Sequence, residues 1–348
     1  MQVLVTGGAG FIGSHVVEDL VDAGHAVTVL DVAHPAAHRR RPEPSVPGVE
    51  YVWADLCDTE AVTALVRRAD AVSHQGAMVG LGVDFADVVD FVTANDLGTA
   101  SLLRAMHDVG FSGRLVLASS MVVYGEGGYE CDRHGAVVPA PRARARLERQ
   151  AWEATCPRCD TELRPLAVDE TRATDPRSVY AATKLHQEHL CTAFGREHGI
   201  SVIALRYHNV YGPRMPRDTP YAGVASLFRS ALEAGHSPMV YEDGAQLRDF
   251  VHVHDVARAN RLAVELECCW SGALNIASGR PRTVFELAQG TCSGFGDDAP
   301  EPVVVPRFRV GDVRHIFASP ARARDVLGFE AAVTFERGVA ELAIAPMR

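Results

Sequence analysis

The sequence predicts an α/β fold, a doubly wound parallel sheet joined to a smaller mixed α/β domain. Through the first half of the chain, short β-branched runs alternate with stretches of helical apolar spacing. Beyond residue 207 that rhythm gives way to loop-rich, mixed sequence, which suits a cap over the carboxyl edge of an open sheet. With 348 residues, 47% apolar and 22% charged, the chain has the composition of a globular protein with one large or two modest domains.

Taken in order, QVLVTG reads as the first strand and FIGSHVVEDLVDAG as the helix after it. HAVTVLD is the second strand and YVWADL the third; AVTALVRRA is helical, and DAVSHQG is the fourth strand. The helix DLGTASLLRAMHDVG leads into the strand GRLVLASS. From Gly127 to about Leu166 the pattern breaks into a cysteine-bearing, Pro/Arg-rich insert. The helix SVYAATKLHQEHLCTAFGREHG and the strand ISVIALRYHNV then resume it. The expected division is a first domain over 1–207, carrying the 127–166 insert and regaining a segment near 236–267, with 208–348 forming most of the second.

Charge excludes some functions. A formal net charge of -10 argues against a nucleic-acid partner. The basic stretch PRARARLERQ, Pro141 to Gln150, reads as a solvated helix or loop face. No apolar run reaches the roughly 18 residues of a membrane span, and MQVLVTGGAG has no basic leader region, so no membrane partner and a cytoplasmic location are expected. Eight cysteines in a chain of this size suit core packing or metal ligation better than a disulfide scaffold.

TGGAGFIGSH follows the first strand and opens a helix, which is the Rossmann dinucleotide fingerprint. Gly7, Gly10 and Gly13, with Gly8 as an alternative first member, allow a tight turn and close approach of backbone N–H groups to a pyrophosphate. Asp31 ends the second strand, where a carboxylate accepts from ribose hydroxyls and repels a 2′-phosphate, so NAD is expected rather than NADP. Arg39, Arg40 and Arg41 read as exposed loop. Asp55 is placed on the adenine side or as a turn cap. Phe11, Ile12, Leu56, Gln75, Gly76 and Ala77 complete the expected cofactor wall.

SVYAATK puts Tyr180 and Lys184 one helical turn apart. A neighbouring ammonium and an oxidised nicotinamide would lower the phenol's pKa, so Tyr180 is a candidate base and Lys184 its partner. SSMVVYG supplies Ser120, followed by Met121 and Val122 where an acid or base could have stood.

With these motifs the sequence resembles the extended short-chain dehydrogenase/reductase family, in its sugar-nucleotide epimerase/dehydratase branch. The resemblance runs nearly end to end, through TGGAGFIG, NDLGT, SSMVVYG, YAATK, RYHNVYGPR, DGAQLRDFVHVHDVA and RVGDVRH, and leaves out the 127–166 insert. It implies that Tyr180 transfers the proton, Lys184 holds the nicotinamide ribose and Ser120 bonds the reacting sugar oxygen. It further implies that Asn95 and Tyr207 lie near the nicotinamide, that Asn209 and Arg248 hold the substrate diphosphate, and that Arg309 and Asp312 hold phosphate and nucleoside ribose. A guanidinium fork suits a diphosphate and a carboxylate suits a ribose diol.

The branches of this family share oxidation at C4 and then diverge. Dehydratases carry an Asp-Glu pair after the hydroxyl residue, decarboxylases a Glu in the same element, and GDP-fucose synthases a Cys and a His. Met121 and Val122 offer none of these, which leaves hydride return to the other face, 4-epimerisation, as the expected reaction. More narrowly, AMVGLGVDF (77–85), the cysteine insert and DTPYAGVASLF (218–228) resemble the dTDP-L-rhamnose 4-epimerase group. Apolar Met78, Val79, Met121 and Val122 would suit a 6-deoxy methyl group, although plain packing explains them equally well. The alternatives are a UDP-hexose 4-epimerase, a dehydratase, decarboxylase or 4-ketoreductase of the same family, and a non-catalytic NAD sensor. A homodimer through the SVYAATKLHQEHL helix is implied by the family.

In the insert, Cys131-x2-His134 and Cys156-x2-Cys159 have the spacing of a tetrahedral structural zinc site, with free cysteines the alternative. Cys57, Cys191, Cys268, Cys269 and Cys292 read as structural.

Overall fold

A computed structural model describes residues 1–34, 41–80, 85–217 and 223–347. Arg39 and Arg40, most of the 81–85 end of AMVGLGVDF, and 218–222 of DTPYAGVASLF lie outside the described residues.

Seven strands form one sheet, in the spatial order Gly272–Ile276, Val202–Tyr207, Arg114–Ser120, Ala71–His74, Gln2–Thr6, Ala26–Asp31 and Glu50–Trp53. Every pairing is parallel. Such a sheet must be covered on both faces, and the strands accordingly read as Val/Leu/Ile/Ala runs rather than alternating ones. On one face Val3, Val5, Val29 and Leu205 pack with Val16, Val17 and Leu20 of the helix Phe11–Asp22 and with Val256 and Ala263 of Val253–Glu265. On the other, Leu4, Leu115 and Leu117 pack with Val62, Leu102, Met106 and Phe194. The edge strand Gly272–Ile276 has no counterpart among the strands expected from the sequence; it is short and follows a Cys-Cys-Trp stretch after the helix Val253–Glu265.

The 20-residue helix Val179–His198 starts and ends for readable reasons. Ser178 caps Val179–His198, its hydroxyl accepting from Ala181 N at 3.1 Å, and Gly199 stops it in the left-handed region at φ 67°. The stretch holding NDLGT does not wind as one α-helix. Val92–Leu97 forms a π-helix between Val88–Phe91 and Gly98–Asp108. A wide turn of this kind re-aims one side chain, here Asn95.

Beyond the sheet, Tyr211, Met215, Phe228, Val240, Phe250, Leu287, Val339 and Leu342 form a separate core. The insert has its own small core and a three-stranded antiparallel sheet, with Gly128–Cys131 between Gly135–Val137 and Arg164–Leu166. Among the described residues no helix is long and apolar enough to cross a membrane.

Candidate active site

Parallel register places Thr6 beside His74 and Ser120 beside Tyr207, so the carboxyl ends of the central strands share one edge. A cavity of about 1310 Å³ opens along it. Gly7, Gly10, Phe11, Ile12, Gly13, Asp31, Asp55, Leu56, Gln75, Gly76 and Ala77 line one part of this cavity. Ser120, Met121, Tyr180, Lys184, Tyr207, Asn209, Arg248, Arg309 and Asp312 line the rest. Strand order reverses between Gln2–Thr6 and Ala71–His74, the crevice where open α/β sheets take ligands.

The glycine loop fits the close approach a pyrophosphate needs. Gly7 has φ +67°, and a Cβ on Gly13 would stand 2.1 Å from the Gly7 carbonyl oxygen. The N-cap of Phe11–Asp22 is Gly10, which has no side chain of its own to cap the helix, and Phe11, Ile12 and Gly13 of the first turn line the cavity. Asp31 is buried and accepts from Ala9 N at 2.9 Å and from Ala33 N at 2.7 Å. Each carboxylate oxygen keeps a further lone pair for a ribose hydroxyl. Asp55 both lines the cavity and turns the chain, accepting from Cys57 N at 2.7 Å. Arg41 lies over the Trp53 ring at 5.2 Å.

The two serines of SSMVVYG have different work. Ser119 donates to the buried carboxylate of Glu188, which also takes a bidentate pair from Arg206 at 2.9 and 2.8 Å. Ser120 faces the cavity and hydrogen-bonds the Tyr180 phenol. Lys184 is buried, donates to the Ala118 carbonyl at 3.0 Å, and burial lowers its pKa to about 8. The expectation of a lowered phenol is not met in the protein alone. Burial pushes Tyr180 up to about 12, and only the Ser120 hydrogen bond opposes it. Lys184 donates to the strand carbonyl rather than to the phenol, and a bound nicotinamide would add positive charge that lowers Tyr180 further.

Asn95 does not line the cavity. Its side chain is fully buried behind Met78, accepting from Met78 N at 2.7 Å and donating to Met78 O and to Thr183 at 2.9 Å. Tyr207 reaches the cavity, and its hydroxyl is held by Gln75 and Asn260 at 3.1 Å. Asn260 also takes Gln75 Nε2 at 2.9 Å, a supporting role that no motif announced. Asn209 presents a buried Oδ1 with no hydrogen-bond partner among the described residues. The Arg248 guanidinium is held by the carbonyls of Leu247, Val313 and Arg314 at 2.7–2.8 Å, and Arg309 lies over the Tyr241 ring at 5.7 Å.

The insert gathers its four candidate ligands. The Sγ atoms of Cys131, Cys156 and Cys159 and Nδ1 of His134 all lie within 4.8 Å of one another. Cys131 and Cys159 are 3.7 Å apart, and His134 Nδ1 is 3.5, 3.4 and 3.5 Å from Cys131, Cys156 and Cys159. Arg142 departs from the solvated face expected of PRARARLERQ. It is buried, with a bidentate pair to Glu242 at 2.9 and 2.8 Å. A buried acid far along the sequence claims it, and nothing local to the stretch signals that. Cys191 and Cys292 are buried, Cys57 is half-buried, and Cys268 and Cys269 are exposed.

A family model described as the NAD dependent epimerase/dehydratase family matches residues 3–143 and 159–277. The chain is 35% identical to a dTDP-L-rhamnose 4-epimerase of Burkholderia thailandensis, covering 98% of this chain and 93% of that one. A Thermus thermophilus UDP-glucose 4-epimerase solved with NAD superposes with TM-score 0.78 at 31% identity, over 99% of this chain and 98% of that one. A Thermotoga maritima UDP-glucose 4-epimerase solved with UDP-glucose superposes with TM-score 0.79 at 29% identity, over 99% and 97%. With the glycine loop at the first strand, the tyrosine and lysine on one helical turn, and a family match over most of its length, the chain belongs to the NAD-dependent epimerase/dehydratase family.

Proposed function

We infer that the protein is an NAD-dependent nucleotide-sugar 4-epimerase, an isomerase. One observation carries the choice within the family: Ser120, Tyr180 and Lys184 line one cavity with the glycine loop, and the next two residues after Ser120, Met121 and Val122, are apolar. Bound NAD supplies the acceptor and donor of hydride at sugar C4. Tyr180 takes the C4 hydroxyl proton and returns it, Ser120 holds that oxygen, and Lys184 orients the cofactor ribose. With no acid or base beside Ser120, elimination or enolisation of a keto sugar lacks its proton carrier, and reduction on the opposite face is what remains.

The proposed substrate is dTDP-L-rhamnose, giving the C4-inverted 6-deoxy sugar. It is supported by the Burkholderia relative and by Met78, Val79, Met121 and Val122 on the cavity wall, which suit a methyl at C5. Asn209 and Arg248 would hold the diphosphate, Arg309 and Asp312 the terminal phosphate and ribose. Residues 1–207 with the returning 236–267 segment would form the cofactor half and 208–348 most of the substrate half. A homodimer and a cytosolic location complete the reading.

The insert is proposed to hold structural zinc. Tetrahedral zinc with three thiolates and one imidazole puts neighbouring ligand atoms about 3.5–3.8 Å apart, and the distances here are 3.4–3.7 Å. Such a site would be closed and would take no part in the reaction.

Proton NMR of the purified protein with dTDP-L-rhamnose and, separately, UDP-glucose tests the reaction without added cofactor. A new H4 signal at unchanged mass, with the coupling of inverted C4, is expected with the deoxy sugar. Stoichiometric appearance of NADH together with a keto sugar two mass units lighter, and no C4-inverted product, would replace the epimerase by a net oxidoreductase.

A further inference from the structure

The family match stops at residue 143 and resumes at 159, inside the insert, and the insert meets the substrate side of the cavity through Tyr129 and Arg142 before that break and Trp152 and Glu153 within it. Arg142 donates through both terminal nitrogens to Glu242 and also to the Asp312 carbonyl at 2.7 Å. Glu242, which accepts again from Arg314 at 3.0 Å, sits in the left-handed region at φ 58°, a conformation its surroundings must enforce. Glu153 accepts from Arg314 at 2.9 and 2.6 Å and pairs with His315 at 2.9 Å. Arg314, 1% exposed, is thereby shared among Glu153, Glu242 and Asp243. The insert's Tyr129 hydroxyl accepts from His315 N at 3.1 Å, and its Trp152 ring lies 6.3 Å from Phe308.

The segment 308–315 is therefore gripped from behind by the insert and from the front by Arg248, which takes the Val313 and Arg314 carbonyls. That segment puts Phe308, Arg309, Asp312 and Val313 on the cavity wall. Buried, bidentate pairs of this kind are rigid, and loss of one partner leaves the other charge uncompensated. A surface decoration has no use for them.

We propose that the insert is part of the nucleotide-sugar site, with Arg142 and Glu153 as positioning residues that set Asp312 and Arg309 for the nucleoside diphosphate. The proposal rests on the reading above that Arg309 and Asp312 hold that group. The metal knuckle, closing the loop between Cys131 and Cys159, keeps Arg142 and Glu153 in register with the 308–315 segment. Specificity for the nucleotide half is then set partly by Glu153, which lies in the 144–158 stretch outside the family-matched sequence.

The test is calorimetric binding of dTDP and UDP to the NAD-loaded full-length protein, wild type against Arg142→Lys and Glu153→Gln. Arg142→Lys keeps the charge and loses the fork. Both variants should bind nucleotide at least about tenfold more weakly, a loss of about 1.4 kcal/mol, while bound NAD per chain is unchanged. KM for the sugar nucleotide should rise with kcat within about twofold, the pattern of lost ground-state binding. Unchanged affinity in either variant overturns the proposal, as does loss of bound NAD in parallel with nucleotide affinity, which would make the insert a general scaffold. Wild-type protein that binds dTDP or UDP tightly, loses it in the variants, and epimerises neither sugar would sink the 4-epimerase reading and leave this one standing. Wild-type protein that binds neither nucleotide overturns the proposal together with the site assignment beneath it.

Discussion

As the proposed base, Tyr180 meets two opposing demands. Burial raises its pKa to about 12, yet base chemistry near neutral pH needs the proton to leave. A nicotinamide cation beside the phenol and the Ser120 hydrogen bond both act in the required direction, so the site becomes competent only when loaded. Tyr180→Phe should lower turnover by about 10²–10⁴-fold while bound NAD, measured in a denatured extract, stays at the wild-type ratio. Retained turnover would move proton transfer to another group. Gly13 supplies the complementary case. A Cβ there would collide with the Gly7 carbonyl at 2.1 Å, so Gly13→Ala should yield folded protein without NAD, whereas full cofactor occupancy would show that the loop relaxes freely.

The insert behaves as an element with its own logic, because three short strands and a handful of apolar side chains make a core too small to stand alone. The proposed zinc would supply by cross-linking what burial does not. Metal analysis of the purified protein should therefore find one zinc per chain, and Cys156→Ser should lose it and become sensitive to protease between 127 and 166. A metal-free wild type that resists protease equally would remove the metal from the account. The cysteine and histidine spacing made the gathering of Cys131, His134, Cys156 and Cys159 readable from sequence, since each pair is local in the chain. Arg142 was not readable for the opposite reason. Its partner Glu242 is distant in sequence, and a basic run beside a proline looks like a solvated face until a buried acid meets it. Asn95 shows a third situation, in which the motif was visible but the π-helical turn that draws its side chain behind Met78 was not.

Across the whole molecule, the parallel sheet and its carboxyl-edge cavity could be read because strand–helix alternation and the glycine loop are periodic and local signals. The edge strand Gly272–Ile276 and the paired short strands beyond it, such as Asn209–Tyr211 with Phe250–His252, depend on partners far along the chain and left no such trace. The same long-range burial gives the fold an acid weakness. His15, His74 and His208 are buried and each held at about 3 against an ordinary 6.5, with desolvation the leading cause. Between about pH 6.5 and 3 the unfolded chain then binds protons that the folded one refuses, so stability falls as the pH drops through that window, by up to about 1.4 kcal/mol per pH unit for each histidine. Burial raises Asp249 and Asp312, which oppose the trend because the folded state holds their protons more tightly. His252, lowered to about 4 by burial, adds to the three histidines, and together they set the trend near the ordinary histidine value, where imidazoles of the unfolded chain take up protons. The melting temperature should therefore fall from pH 7 to pH 5, and His208→Phe should make that fall shallower by one proton's share. Parallel pH profiles for the variant and the wild type would mean that His208 titrates normally in the folded chain, and that the carboxyl edge beside Asn209 is wetter than its burial implies.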